Sequence, residues 1–187
     1  MSTADAGWVL RIKRAREETR AGKGFARTIS EYAVFHNGAP SVGLAGQFVE
    51  RQGPGDNTAS GVKSHRRIEA GTYELWTHDG ASNEKYKTIG YSISDGVDKL
   101  PRPSLRLEPA GKRSGILIHP AAGYLWSIGC LNPTGGLNDA NDNIKWKDSR
   151  SRVIALIEDL KSYLASEFPT KNNVRIPRAS CVITGEP

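Results

Sequence analysis

Only one stretch of this chain carries apolar residues at helical spacing. In SRSRVIALIEDLKSYLASEF, residues 149–168, Val153, Leu156, Ile157, Leu160, Tyr163 and Leu164 fall on one stripe, the pattern of an amphipathic helix with a single buried face. Asp148 or Ser149 can cap its start, and Pro169 ends it because proline cannot continue the hydrogen-bond ladder. The rest of the chain must build its core from strands. Its 20 glycines and 10 prolines are scattered through 187 residues instead of gathered in a linker, which cuts the sequence into short elements joined by turns. The expected fold class is mainly β with one long C-terminal helix packed on it. Its length suits one domain over 1–187, with a strand-rich core over about 8–133.

Residues 8–16, WVLRIKRAR, alternate apolar and basic side chains, and 27–36, RTISEYAVFH, are rich in β-branched and aromatic types. HNGAPSVG then reads as turn, GQFVER (46–51) as a short strand and 52–66 as a polar loop. In the next strand Tyr73, Leu75 and Thr77 share a face and Glu74, Trp76 and His78 the other; Trp76 packs in the core or lines a cleft. KYKTIGYSI (85–93) and SLRLEP (104–109) are further short strands, and GILIHP (115–120) reads as a buried central one. The tail offers a last edge strand around Cys181–Thr184.

A net charge of +6 favours an anionic partner. The densest basic cluster, Arg11, Lys13, Arg14 and Arg16, runs straight into Glu17 and Glu18, so it reads as a solvated strand face and no nucleic-acid partner is expected. His36, His65 and His78 lack the paired spacing of a zinc site, and neither a metal nor another cofactor is expected. The first residues carry no basic-then-apolar export signal, and no run is long enough to span a membrane. The expectation is synthesis in the cytoplasm without membrane insertion, with any action outside reached by a non-Sec route or lysis. Cys130 and Cys181 leave open whether they ever pair.

A thiol nucleophile needs a base, a lip at which sulfur is exposed, and donors aimed at the developing oxyanion. The segment GILIHPAAGYLWSIGCLNP holds candidates for each. His119 ends an apolar strand, Pro120 turns the chain out of the sheet, and ten residues later Cys130 follows Gly129. The N–H groups of Gly129 and Cys130 are the natural oxyanion donors, since glycine permits close approach of substrate. Ser127 is positioned to join the hydrogen bonding. Singly, a buried cysteine and a strand-end histidine are ordinary structural residues; Cys181, flanked by Val182 and Ile183, reads as such an inert thiol. The order of strand, His119, loop, Ser127-x-Gly129-Cys130 is what singles the segment out.

That order resembles the catalytic domain of the L,D-transpeptidases, and RIEAGTYEL (67–75) is similar to the family's strand entry, with Glu69-Ala70 where proline is common. The likeness covers roughly 45–133 and is nearest to compact, signal-less relatives in phages and among secreted antibacterial toxins. It implies a β-sandwich or barrel and an acyl transfer on peptidoglycan stem peptides. Cys130 would attack, His119 would accept and return the proton, Ser127 and a backbone carbonyl would orient the ring, and the amides of Gly129 and Cys130 would hold the oxyanion. An immunity or secretion protein is a further implied partner. Asn132 stands where many members have an arginine, in the substrate-binding part of the site; Arg113 or Arg106 could supply the missing cation. Trp126 and Tyr124, in the loop before Cys130, are the candidates for touching substrate. The alternative reading is a module that binds peptidoglycan or a protein of a phage or secretion apparatus, with little or no turnover.

Overall fold

The computed structural model describes residues 6–58, 66–80 and 85–187; part of the expected 52–66 loop, and His65 within it, lies outside the described residues. The chain begins with an antiparallel meander of β1 (Trp8–Glu18), β2 (Arg27–His36) and β3 (Ala39–Arg51). β3 is more than twice the length expected. Only Asn37 and Gly38, with φ of 50° and 85°, form the turn, and His36 pairs directly with Ala39. Two residues of positive φ match the twist of a tight hairpin. The outer half of β3 carries no strand signature in the sequence, since Val42 is fully exposed there and no alternation of burial marks it.

The remaining elements are β4 (Gly71–Trp76), β5 (Tyr86–Lys87), β6 (Arg102–Pro103), β7 (Leu105–Glu108), β8 (Leu117–Ile118), β9 (Asn132–Thr134), α1 (Trp146–Leu164) and β10 (Arg175–Thr184). β5 and β6 form a separate parallel pair, and the other eight strands run in the order β8-β7-β4-β10-β1-β2-β3-β9. The tail is therefore no edge strand: β10 lies inside the sheet, parallel to β1 and antiparallel to β4. Its inward residues Ile176, Ala179, Cys181 and Ile183 alternate imperfectly with polar ones, and the partner that buries it is at the opposite end of the sequence.

The two ends of that order meet. Ile118 and Leu131 form a parallel bridge, the His119 N–H donates to Leu131 O at 3.1 Å, and the Leu131 N–H donates to Leu117 O at 2.8 Å. The sheet is thus a nearly closed, barrel-like wall whose seam lies between β8 and the residues leading into β9. GILIHP is buried, as its composition demanded, but it is a seam strand of two paired residues and not a central one.

Val153, Leu156, Ile157, Leu160 and Leu164 of α1 pack on Trp8, Leu10, Ile12, Val34, Leu75 and Leu107 in the main core. Tyr73, Leu75 and Thr77 all face inward. The helix starts three residues earlier than its apolar stripe suggested, and neither proposed cap is used as one. The Asp148 carboxylate accepts the Gly135 N–H at 2.6 Å and pairs with Arg152, and Ser149 Oγ accepts the Ala121 N–H at 3.0 Å. Both side chains fasten the long segment after His119 to the helix. That segment also closes a second, smaller core of Ile29, Val49, Ala121, Leu137 and Ile144 on the other side of β2 and β3.

The basic cluster on β1 divides. Arg11 and Lys13 face solvent, but Arg14 points inward and pairs with Glu50 at 2.9 Å, both side chains fully buried. Among the described residues, no helix is long and apolar enough to cross a membrane.

Candidate active site

The seam determines which side chains meet. With Ile118 beside Leu131, Leu117 lies beside Cys130 and His119 beside Asn132. Side chains alternate along a strand, so all four share one face, opposite to Ile118 and Leu131. His119 and Cys130 are therefore brought to the same surface of the seam, two residues apart along it.

The Cys130 sulfur accepts the Leu117 N–H at 3.4 Å, and its thiol donates to Gly115 O at 3.6 Å. It opens into a cleft of about 210 Å³ whose walls include Arg113, Ser114, Ile128 and Gly129. A wider groove of about 380 Å³ on the outer face of the sheet, over Arg11, Phe35 and Val182, contains neither thiol nor histidine. Burial pushes the Cys130 thiol up to about 11, with the Leu117 N–H and the Arg113 cation pulling the other way. Arg113, itself buried, donates to Arg66 O at 2.8 Å and Asp56 O at 3.2 Å and lies against Gly129 so closely that a Cβ there would overlap its guanidinium. Among the described residues, no protein acceptor takes up the N–H of Gly129 or of Cys130.

His119 is 3% exposed. Its Nδ1 lies 2.9 Å from Pro120 O; a carbonyl can only accept, so Nδ1 carries the proton and Nε2 the lone pair. Burial is the main cause that lowers its pKa to about 4, with Arg102 and His78 adding to it and the Pro120 carbonyl opposing. The Tyr86 ring covers it at a centroid distance of 4.5 Å. No hydrogen bond joins the thiol to the ring, and both groups are neutral near pH 7. Burial raises the thiol and lowers the imidazole, so both shifts favour the neutral pair over thiolate–imidazolium. Any attack by this thiol would need its proton removed in the same step, as general-base catalysis allows.

Ser127 does not touch the ring. Its Oγ is 2.9 Å from Cys130 O and 2.8 Å from Asn132 Oδ1, and its single proton serves one at a time. The group that borders the ring is Asn132, whose Nδ2 donates to His119 O at 2.9 Å and lies 3.4 Å from Nδ1. Asn132 is fully buried, which removes it from the substrate-contacting set and makes it a strut between the Cys130 turn and the histidine. Tyr124 is also removed from that set. It is 5% exposed, donates to Glu18 O and packs under Arg20 and Arg27 at the far end of the loop. Trp126 remains at the surface, 40% exposed, beside Trp146.

Of the two candidate cations, Arg113 is at the thiol. Arg106 pairs with Glu108 and stacks on Trp76, which puts Trp76 on the outer face of β4 and out of both core and site. Cys181 is buried in the core, its thiol pushed further up by burial and by Glu50, and the two cysteines are unpaired. Tyr86, Arg102 and Trp146 were not visible as site residues in the sequence, since nothing in KYK, in Arg102-Pro103 or in the helix start links them to a histidine elsewhere in the chain. No group of three or more His, Cys, Asp or Glu is placed to hold a metal among the described residues. The chain matches no family model, no curated protein and no solved structure.

Proposed function

We propose that the chain is a cysteine acyl-transfer enzyme acting on peptidoglycan stem peptides, as an L,D-transpeptidase, an L,D-carboxypeptidase or both. The observation that carries this reading is the seam pairing, which sets Cys130 and His119 on one face, with Cys130 at a cleft bordered by Arg113 and the buried His119 on the thiol's other flank. Cys130 Sγ adds to the carbonyl of the L-centre of the stem's diamino acid while its proton passes to His119 Nε2. The N–H groups of Gly129 and Cys130, free of protein acceptors among the described residues, are the donors for the oxyanion. Collapse of the tetrahedral adduct breaks the peptide bond and releases D-alanine, whose amine takes the proton back from His119. Water or an amine then attacks the thioester and gives its proton to the same nitrogen, which passes it to the departing sulfur as the C–S bond breaks, restoring the thiol and the neutral ring. Ser127 and Asn132 hold the two halves of the seam in register. Under this reading the protein works in the periplasm or cell wall after export or delivery as an antibacterial effector, and an immunity or secretion protein would accompany it.

A second reading, a binding module with little turnover, draws on the neutral thiol and the missing sulfur–imidazole hydrogen bond. Muropeptides incubated with the protein decide between them by mass spectrometry. Loss or exchange of terminal D-alanine, or new crosslinks, abolished by Cys130→Ala, supports the enzyme. Unchanged muropeptides with retained binding to sacculi support the module.

A further inference from the structure

The cleft beside Arg113 accounts for one flank of Cys130. The other flank, on the side of His119, is built around Arg102. Its guanidinium donates to Val97 O at 2.8 Å through Nη2 and stands 5.6 Å from the ring centres of Tyr86 and Trp146 and 5.8 Å from that of Trp126. Tyr86 in turn lies on the His119 ring, so an unbroken run of contacts leads from the buried base to the exposed indole of Trp126. Arg102 has no carboxylate partner among the described residues. Asp98, whose carboxylate feels the Arg102 charge, is paired with Lys99 at 3.0 Å, and Asp95 is paired with Lys147 at 2.9 Å.

A half-buried guanidinium that donates to Val97 O through Nε and Nη2 and stands among three aromatic rings has further donors to offer, and charge-assisted bonds from a guanidinium to a carboxylate are the strong ones. The geometry points to a carboxylate subsite at Arg102, bordered by Tyr86, Trp126 and Trp146, that receives the free carboxylate of the residue on the leaving side of the scissile bond. The placement follows from proton transfer. His119 must reach the nitrogen that leaves, so the leaving residue lies on the His119 flank and its carboxylate extends toward the nearest unpaired cation beyond Tyr86. This inference rests on the acyl-transfer reading for its direction and adds to it the residue that reads the free carboxylate of the residue released.

The test uses a stem tetrapeptide ending in D-alanine and the same peptide as its C-terminal carboxamide, with wild type, Arg102→Gln and Arg102→Lys, all shown to be folded by circular dichroism. Wild type should prefer the acid in kcat/KM by about 10- to 100-fold, the range of a hydrogen bond to a charged group. Arg102→Gln should level the two peptides and Arg102→Lys should keep part of the preference. An undiminished preference in Arg102→Gln overturns the subsite. A second measurement separates the subsite from the chemistry: Cys130→Ala, with and without Arg102→Gln, is titrated with both peptides by following indole fluorescence. Tighter binding of the acid that Arg102→Gln abolishes supports the subsite even if wild type turns neither peptide over, in which case the acyl-transfer reading alone fails. Equal binding of acid and amide by Cys130→Ala overturns the subsite even if turnover is normal.

Discussion

Replacing Gly129 by alanine separates the backbone requirement at this position from the packing one. Gly129 does not adopt a positive φ, so the backbone accepts an alanine and the cost comes from what the new methyl meets. It would overlap Arg113 Nη2 and lie 3.0 Å from Cζ, whereas the next neighbour, Arg66 O, is at an ordinary 3.5 Å. The guanidinium must therefore swing out, giving up its bonds to Arg66 O at 2.8 Å and Asp56 O at 3.2 Å. Hydrogen bonds from a charged donor contribute about 1.5–3 kcal/mol each. The displaced guanidinium recovers some of this from water, so Gly129→Ala should destabilise by about 2–3 kcal/mol. In an Arg113→Ala background the same methyl has room, and its cost should fall below about 0.5 kcal/mol. Urea unfolding of the four proteins closes a double-mutant cycle with a coupling energy of about 2 kcal/mol. Costs that simply add, within about 0.5 kcal/mol, refute the argument. The same proteins give a second reading, because Arg113 draws the Cys130 thiol downward in pKa: Gly129→Ala should slow alkylation of Cys130 at a fixed pH.

Other outcomes follow from the buried groups. Alkylation of Cys130 by iodoacetamide in the folded protein should rise toward a midpoint near pH 11, moving in urea to about 8.5, the value of a free thiol; a folded midpoint already at about 8.5 would show that the thiol is not desolvated. His119 has a folded pKa of about 4 against an ordinary 6.5, so the stability that its neutral ring contributes is present above pH 6.5 and lost as pH falls toward 4. That loss amounts to roughly 3 kcal/mol, and His119→Asn should remove it from the pH dependence of urea unfolding; an unchanged slope in the variant counts against it. Arg14→Met alone leaves Glu50 buried without its partner and should cost about 3–5 kcal/mol, while adding Glu50→Leu should recover most of the loss. Equal stability of the single and double variants would contradict the pair's role.

Much of the site was legible because its chemistry is local. His119, Ser127, Gly129, Cys130 and Arg113 all lie within 18 consecutive residues; Arg113, Ser127 and Gly129 surround the thiol, and the seam sets His119 on the same face as Cys130. Roles were harder to read than positions. Ser127 and a backbone carbonyl were expected to orient the ring; the carbonyl is Pro120 O, while Ser127 bonds to Asn132, which the parallel pairing sets beside residue 119 and which holds the His119 backbone. Tyr124 and Trp126 are two residues apart in one loop, yet one is buried under Arg20 and Arg27 and the other is exposed; no local pattern distinguishes them.

The sequence by itself determined the kinds of element and the chemical groups on offer. One helical stripe among period-two strands required a β fold with one packed helix, and an apolar strand ending in His119 with Ser127-x-Gly129-Cys130 after it supplied a thiol and an imidazole. These are properties of neighbours along the chain. Only the tertiary structure decided that β10 enters the sheet beside β1, that β8 meets the entry to β9 at a seam, and that this seam carries the site. It also set the protonation states: burial moves His119 and Cys130 in opposite directions, and burial depends on which distant segments cover a residue. The Arg102 flank belongs to the same class, since rings from Tyr86, Trp126 and Trp146 converge on one guanidinium only after three separate parts of the chain have packed together.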